Sequence, residues 1–423
     1  MLADAERRDP AGHAMHVAAG IAWAGAQSIS NAAEGITWGV LLAVTLARLP
    51  KIHRAFGPVL RDPVMVSLLA WAGWTAIGAS WAPDLGPGYP GAVPERWVVT
   101  PLMLWPLMAR PRLVLGAMLA GGAVHVAMAL AWSWTGTGWV APHAVRSLSN
   151  FGQLQWQLHT VVVLSAHAMR HLPRPGGVLA ALPAAGAAWL IVLSARRAAV
   201  VGMLAGLWCV AMRPSPGRAA RWVAVASVLA LAAAGWWIAV ESPVADRLQS
   251  SATLAERMDD DGLEDLAIGR LTSERATLAR AAFDIALEHP WFGGGRGWFT
   301  AQLPRWALAQ MADDPRRMVP LDGYLQGALT DAHNLYLQWW VDGGIPGAVL
   351  VSFPVLALGW RLWRQSSADA VAAAAMALYV AILVGTVTGI VTAKAPGAII
   401  AVCLAVSWRW PSRPRARILF NQP

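Results

Sequence analysis

The 423-residue chain is 57% hydrophobic and 13% charged, where soluble domains carry about a quarter charged residues, so a soluble globular fold is excluded. Its net charge of +9 does not imply nucleic acid, because the arginines form short clusters between apolar segments rather than one basic face. Cys209 and Cys403 both fall inside apolar segments, which excludes a disulfide or metal framework.

Residues 1–10 are polar and no short apolar run with a cleavage site follows, so no cleavable signal peptide is expected. A spanning helix needs roughly 20 mostly apolar residues. Candidates in the first half are 17–29, 36–49, 64–81, 93–108, 113–134 and 151–169. The second half offers 178–193, 198–212, 223–240, 344–360, 368–388 and 398–410. This predicts an all-α polytopic membrane protein with about twelve transmembrane helices. Tryptophan, present 25 times, concentrates near segment ends such as Trp81, Trp97, Trp134, Trp139, Trp360 and Trp410, as interfacial belts require.

Basic clusters recur in every second connection: Arg48/Lys51/Arg54/Arg61, Arg110/Arg112, Arg170/Arg174, Arg213/Arg218/Arg221, Arg361/Arg364 and the C-terminal run from Arg409 to Arg417. The positive-inside rule makes these cytoplasmic, along with both termini. One long polar loop on the outer side breaks the pattern, dividing the chain into 1–240 (about nine helices), a loop domain at 241–343, and 344–423 (about three helices and a basic tail).

Three stretches on the outer side carry candidate chemistry. The first is Ser194-Ala-Arg-Arg-Ala198, where Arg196 and Arg197 lie on the side the charge rule disfavours. Arg197 is read as snorkelling to headgroups. In the loop, 273–288 reads as an amphipathic helix with Leu278, Ala281, Ala282, Ile285 and Ala286 on one stripe. Arg275 shares that stripe and should meet a partner or an anion, whereas Arg280 points to solvent. His289-Pro290 ends this helix, and Gly293-Gly-Gly-Arg-Gly297 makes a tight turn. Its N–H groups could cradle phosphate but lack a P-loop's lysine and hydroxyl, so a plain turn is the commoner reading.

The third stretch runs from Thr330 through Asp331, His333 and Asn334 to Asp342-Gly-Gly-Ile-Pro-Gly347. Thr330 as N-cap would put His333 in the first turn of a helix broken at Gly343-Gly344. The positive helix end there would keep the imidazole neutral. Tyr336, Trp339 and Trp340 are read as anchors of this helix rather than sugar platforms. Elsewhere, Gln153, Gln155, Gln157 and His159 open the sixth span from the outer side, fitting either a cavity lining or interhelical hydrogen bonds. His13 and His16 have no carboxylate or cysteine at ligand spacing.

Together these three stretches resemble the O-antigen ligase and polymerase superfamily of bacterial envelope enzymes, over roughly 178–351. That family carries a Ser-Arg-Gly-Ala-like turn between two spans. It also has an arginine upstream of a Pro-x-x-Gly-x-Gly turn, and His-Asn followed by Glu-x-Gly-x-x-Gly. Here Ala195, Arg197 and Asp342 replace the usual serine, glycine and glutamate, which leaves the register at Arg196 or Arg197 open. The resemblance implies a GT-C-like glycosyltransferase of the bacterial inner membrane with a periplasmic active site in a mostly helical loop domain. Its donor would be a glycan on undecaprenyl diphosphate and its acceptor, for a ligase, a sugar hydroxyl of lipid A-core, with membrane lipids around it. His333 would be the general base, and Arg196 and Arg275 would bind the diphosphate without a metal or cofactor. Asn334, Arg197, Arg270, Arg296 and Gln155 are further candidate contacts. An O-antigen polymerase and a protein O-oligosaccharyltransferase of the same superfamily are the alternatives. A transporter or flippase, of a different class, would show repeat halves and charges near the bilayer midplane, which this sequence lacks.

Overall fold

The computed structural model describes residues 6–27, 29, 31–83, 94–108, 110–135, 152–171, 174–193, 197–211, 275–313, 332, 334–386 and 394–408. Every regular element among them is helical. In chain order these are α1 (Pro10–Ala26), α2 (Asn31–Leu60), α3 (Pro63–Gly78), α4 (Pro94–Leu104, continued by a 3₁₀ turn at Trp105–Leu107) and α5 (Pro111–Thr135). Next come α6 (Gly152–His171), α7 (Arg174–Leu193), α8 (Arg197–Ala211), α9 (Arg275–Glu288) and α10 (Trp298–Asp313). The last are α11 (Leu335–Ser366), α12 (Ala370–Thr386) and α13 (Lys394–Ser407).

Eleven of the twelve predicted spans coincide with helices, and the twelfth, 223–240, lies outside the described residues. Three stretches, Ala32–Leu60, Pro111–Ala131 and Leu335–Ser366, are long and apolar enough to cross a membrane, and seven shorter apolar helices accompany them. Over the described residues the chain is thus all-helical, with the long apolar helices that a multi-pass membrane protein requires.

One prediction is corrected here. The second span was expected to stop at Leu49, yet α2 continues to Leu60 through Pro50 and Pro58. Ile52, Ala55, Phe56 and Val59 recur at helical spacing in this extension and are all buried, so packing overrides the two prolines. The cluster Arg48/Lys51/Arg54 therefore rides on a helix rather than a loop. His16, for which the sequence offers no carboxylate or cysteine at ligand spacing, is held across helices by other groups. The Arg48 guanidinium donates to His16 Nδ1 at 2.9 Å. His16 Nε2 must then carry the proton and donate to the Met103 carbonyl at 2.8 Å.

Arg48 also donates through Nε to Asp9 at 3.0 Å, and Lys51 reaches the other Asp9 oxygen at 3.1 Å. Asp9 in turn caps α1 through the Gly12 N–H. Arg48, and to a lesser extent Lys51, hold the Asp9 carboxyl below the usual carboxylate range. A carboxyl whose pKa is lower folded than unfolded stabilises the fold fully above its unfolded value of about 3.9. That contribution is lost as pH falls through the folded value. Asp9→Asn is expected to lower the melting temperature at neutral pH, because it leaves a buried guanidinium without its counter-charge. It should also flatten the acid limb of a melting-temperature-versus-pH curve on detergent-purified protein.

α3 and α11 run antiparallel and are pinned at three levels. Asp62, the N-cap of α3, pairs with Arg361 through two contacts of 2.8 and 3.0 Å. Ser67 Oγ donates to the Leu350 carbonyl at 2.8 Å. Trp74 Nε1 donates to the Gly343 carbonyl at 2.7 Å. The Gly343-Gly344 break therefore sits at the end of the bundle opposite the basic residues Arg61 and Arg361.

Candidate active site

α11 starts one residue after the His-Asn pair. Asn334 is extended (φ −144°, ψ 112°) and its Oδ1 accepts the N–H groups of Tyr336 at 3.0 Å and Leu337 at 3.1 Å. The expected cap at Thr330 is thus replaced by Asn334, and His333 precedes the cap instead of entering the first turn. Asn334 spends its carboxamide oxygen on the helix, so only its amide nitrogen remains to orient a neighbour or hold a sugar hydroxyl.

Gln338, buried in the same helix, reaches back. Its Oε1 accepts the Ala332 N–H at 2.9 Å and its Nε2 donates to Asp342 Oδ1 at 3.0 Å. The residues on both sides of His333 are therefore tied to α11, Ala332 by Gln338 and Asn334 by its own cap. Asn334, Gln338 and Asp342 are four apart and share one face of the helix. Gln338 was missed in the sequence although this spacing was readable. Gln338→Met keeps the side-chain length and removes both hydrogen bonds. If His333 is the base, transfer is expected to fall about 10²-fold, the cost of misplacing a reacting group by about 1 Å. The loss should appear in kcat, with the KM for donor unchanged.

The predicted helix break is present: Gly344 (φ +64°, ψ −168°) interrupts α11. What fills the break is the glycine-rich turn after α9. Gly294 N–H donates to the Val341 carbonyl and Gly295 N–H to the Asp342 carbonyl, both at 3.0 Å, while Ile345 N–H donates to the Pro290 carbonyl at 2.8 Å. Gly293 N–H is used within the turn by the His289 carbonyl at 2.9 Å. Three of the N–H groups proposed to cradle phosphate are thus committed within the protein, two of them to holding two motifs together. The glycines are required by this latch. A Cβ at Gly293 would stand 2.5 Å from the Asp342 carbonyl oxygen, and one at Gly344 2.4 Å from that of Trp291.

The core formed by α9 and α10 lies beside this latch. Leu278, Ala281, Ala282, Ile285 and Ala286, the predicted stripe of α9, are all buried against Phe299, Leu303 and Ala307 of α10 and against Ala332 and Val341. One core therefore joins the helix that begins at Arg275 to the residue preceding His333. Arg280 is exposed, as predicted. The three aromatic residues at the start of α11 pack inward as anchors: Trp339 meets Trp71 edge-on at 6.4 Å, Trp340 meets Phe283 at 5.5 Å, and Tyr336 OH donates to the Leu383 carbonyl at 3.2 Å.

Among the other candidates, Arg275 is the first residue of α9, Arg197 the first of α8, and Gln155 lies in α6; only their backbones are described. Arg296 is partly buried within the latched turn. His333, Arg196 and Arg270 lie outside the described residues. Among the described residues, no three His, Cys, Asp or Glu side chains gather as a metal-ligand set.

A search of curated proteins finds no match to the chain. A family model described as O-antigen ligase matches residues 182–352, a stretch that begins in α7, includes both halves of the latch and nearly coincides with the 178–351 region singled out by motif. Over residues 182–352 the chain is accordingly similar to the O-antigen ligase family.

Proposed function

We propose that this protein is an O-antigen ligase, moving a glycan from undecaprenyl diphosphate to a sugar hydroxyl of lipid A-core at the periplasmic face of the inner membrane. The observation that carries the reading is the latch. Within the family-matched stretch, it joins the turn following the Arg275 helix to the helix that starts beside His333.

In this mechanism Arg196 and Arg275 bind the diphosphate with their planar donor forks. His333 accepts the proton of the acceptor hydroxyl. The oxygen then bonds to the anomeric carbon as that carbon's bond to the phosphate oxygen breaks, with inversion. Undecaprenyl diphosphate departs with the charge that the arginines neutralise, so the step needs no divalent cation.

The test is the lipopolysaccharide of a deletion strain. A ligase leaves lipid A-core free of O-chain while lipid-linked O-chain accumulates, and plasmid-borne protein restores the chain. Core capped by a single repeat would instead identify a polymerase, and unchanged lipopolysaccharide with unglycosylated proteins would identify a protein oligosaccharyltransferase.

A further inference from the structure

α9 has three longitudinal rows, one more than an ordinary amphipathic helix. Leu278, Ala282 and Ala286, with Ala281 and Ile285, face the protein core. Arg280, Asp284 and Glu288, four apart, form a polar row. Between them, Phe283 and Leu287 are about half exposed, at 47% and 52%, and the row runs on into Trp291 and Phe292, at 64% and 63%. In water, that contiguous apolar row would be costly.

Depth says what covers it. The Asp62–Arg361 pair marks one membrane interface, since a charged pair avoids the hydrocarbon. Sixteen residues separate Arg361 from Ile345, about 24 Å of helix at 1.5 Å per residue, and any tilt or bend brings the two ends closer in depth. The hydrocarbon core is about 30 Å thick. Ile345 therefore lies no farther out than the opposite interface, and Pro290, whose carbonyl it hydrogen-bonds, lies with it. Phe292 stacks on Trp74 of α3, with ring centroids 6.1 Å apart. Ile345 also opens the exposed stripe of α11, followed by Val349, Phe353, Leu356 and Trp360, which has the spacing of a lipid-facing side.

We infer that the row Phe283–Leu287–Trp291–Phe292 is a membrane-docking surface, which lays α9 along the bilayer interface with its polar row toward water. The occupant is the phospholipid surface itself. This inference stands on depth and exposure and does not need the transferase reading. Under that reading it has a consequence, because Arg275, at the start of the same helix, is then at the depth of a lipid-borne diphosphate.

The experiment uses the full-length protein with Cys209 and Cys403 changed to Ala, in phosphatidylethanolamine–phosphatidylglycerol liposomes. Single nitroxide labels are placed at 287, 291, 288 and 356. Labels at 287 and 291 are expected to collide several-fold more with oxygen, relative to a water-soluble nickel chelate, than the label at 288, and to approach 356. Labels at 287 and 291 that group with 288 would overturn the inference. Cys403 is fully buried and its replacement leaves a cavity, so a second measurement keeps both cysteines. A benzophenone amino acid at 287 should form an adduct with radiolabelled phospholipid, as it does at 356; an adduct at 356 alone would equally overturn it.

Discussion

His333→Ala is expected to abolish glycan transfer, a fall of about 10²–10⁴-fold if the residue supplies general-base catalysis, while binding of the lipid-linked donor persists. The structure makes this a clean substitution. Ala332 is held by Gln338 and Asn334 caps α11 through its own side chain, so neither contact depends on the imidazole. The chain entering the helix should keep its course, and the loss should be chemical rather than structural. Equilibrium donor binding, measured beside single-turnover transfer, separates the two. Full activity in the variant would refute the assignment of the base, and loss of donor binding would move His333 to the diphosphate.

The second large effect is expected at Gly344. Its conformation belongs to a region essentially restricted to glycine, which costs another residue about 1–3 kcal/mol. A side chain there would also collide with the backbone of Trp291 and Gly293, at 2.4 and 2.6 Å. Relief requires the turn to move away, which breaks three backbone hydrogen bonds of about 1 kcal/mol each. Gly344→Val is therefore expected to release the turn from α11, eliminate transfer and expose α9 and α10 to limited proteolysis, with the long apolar helices still folded. Gly343→Ala is the control. A Cβ at that position meets only the Trp74 ring at 3.5 Å, so near-normal activity and protease resistance are expected. Equal behaviour of the two variants would mean that the latch does not organise the site.

Much of the arrangement was legible because it depends on local periodicity. The five buried residues of α9, the exposed Arg280, the break at Gly343-Gly344 and the positions of most membrane helices follow from apolar spacing and from glycine and proline. What was not legible depends on partners distant in sequence. Nothing near Trp74 announces that its indole bonds a carbonyl 269 residues away. Nor does the glycine-rich turn reveal that its N–H groups serve α11 rather than an anion. The cap at Asn334 rather than Thr330 follows the same logic. Both residues can cap, and the choice falls where Gln338 draws the Ala332 N–H out of the helical ladder. The extension of α2 was missed because Pro50 and Pro58 weigh against a helix, while Ile52, Ala55, Phe56 and Val59 weigh more once they are buried.

The most direct test of the transferase mechanism is release of undecaprenyl diphosphate by purified protein in proteoliposomes containing donor and lipid A-core, with a chelator present. The expected result is release that requires the acceptor, matches glycan transfer one for one, is insensitive to chelation and is lost in His333→Ala. Release that proceeds equally without acceptor, or that stops on chelation and returns with a divalent cation, would contradict it.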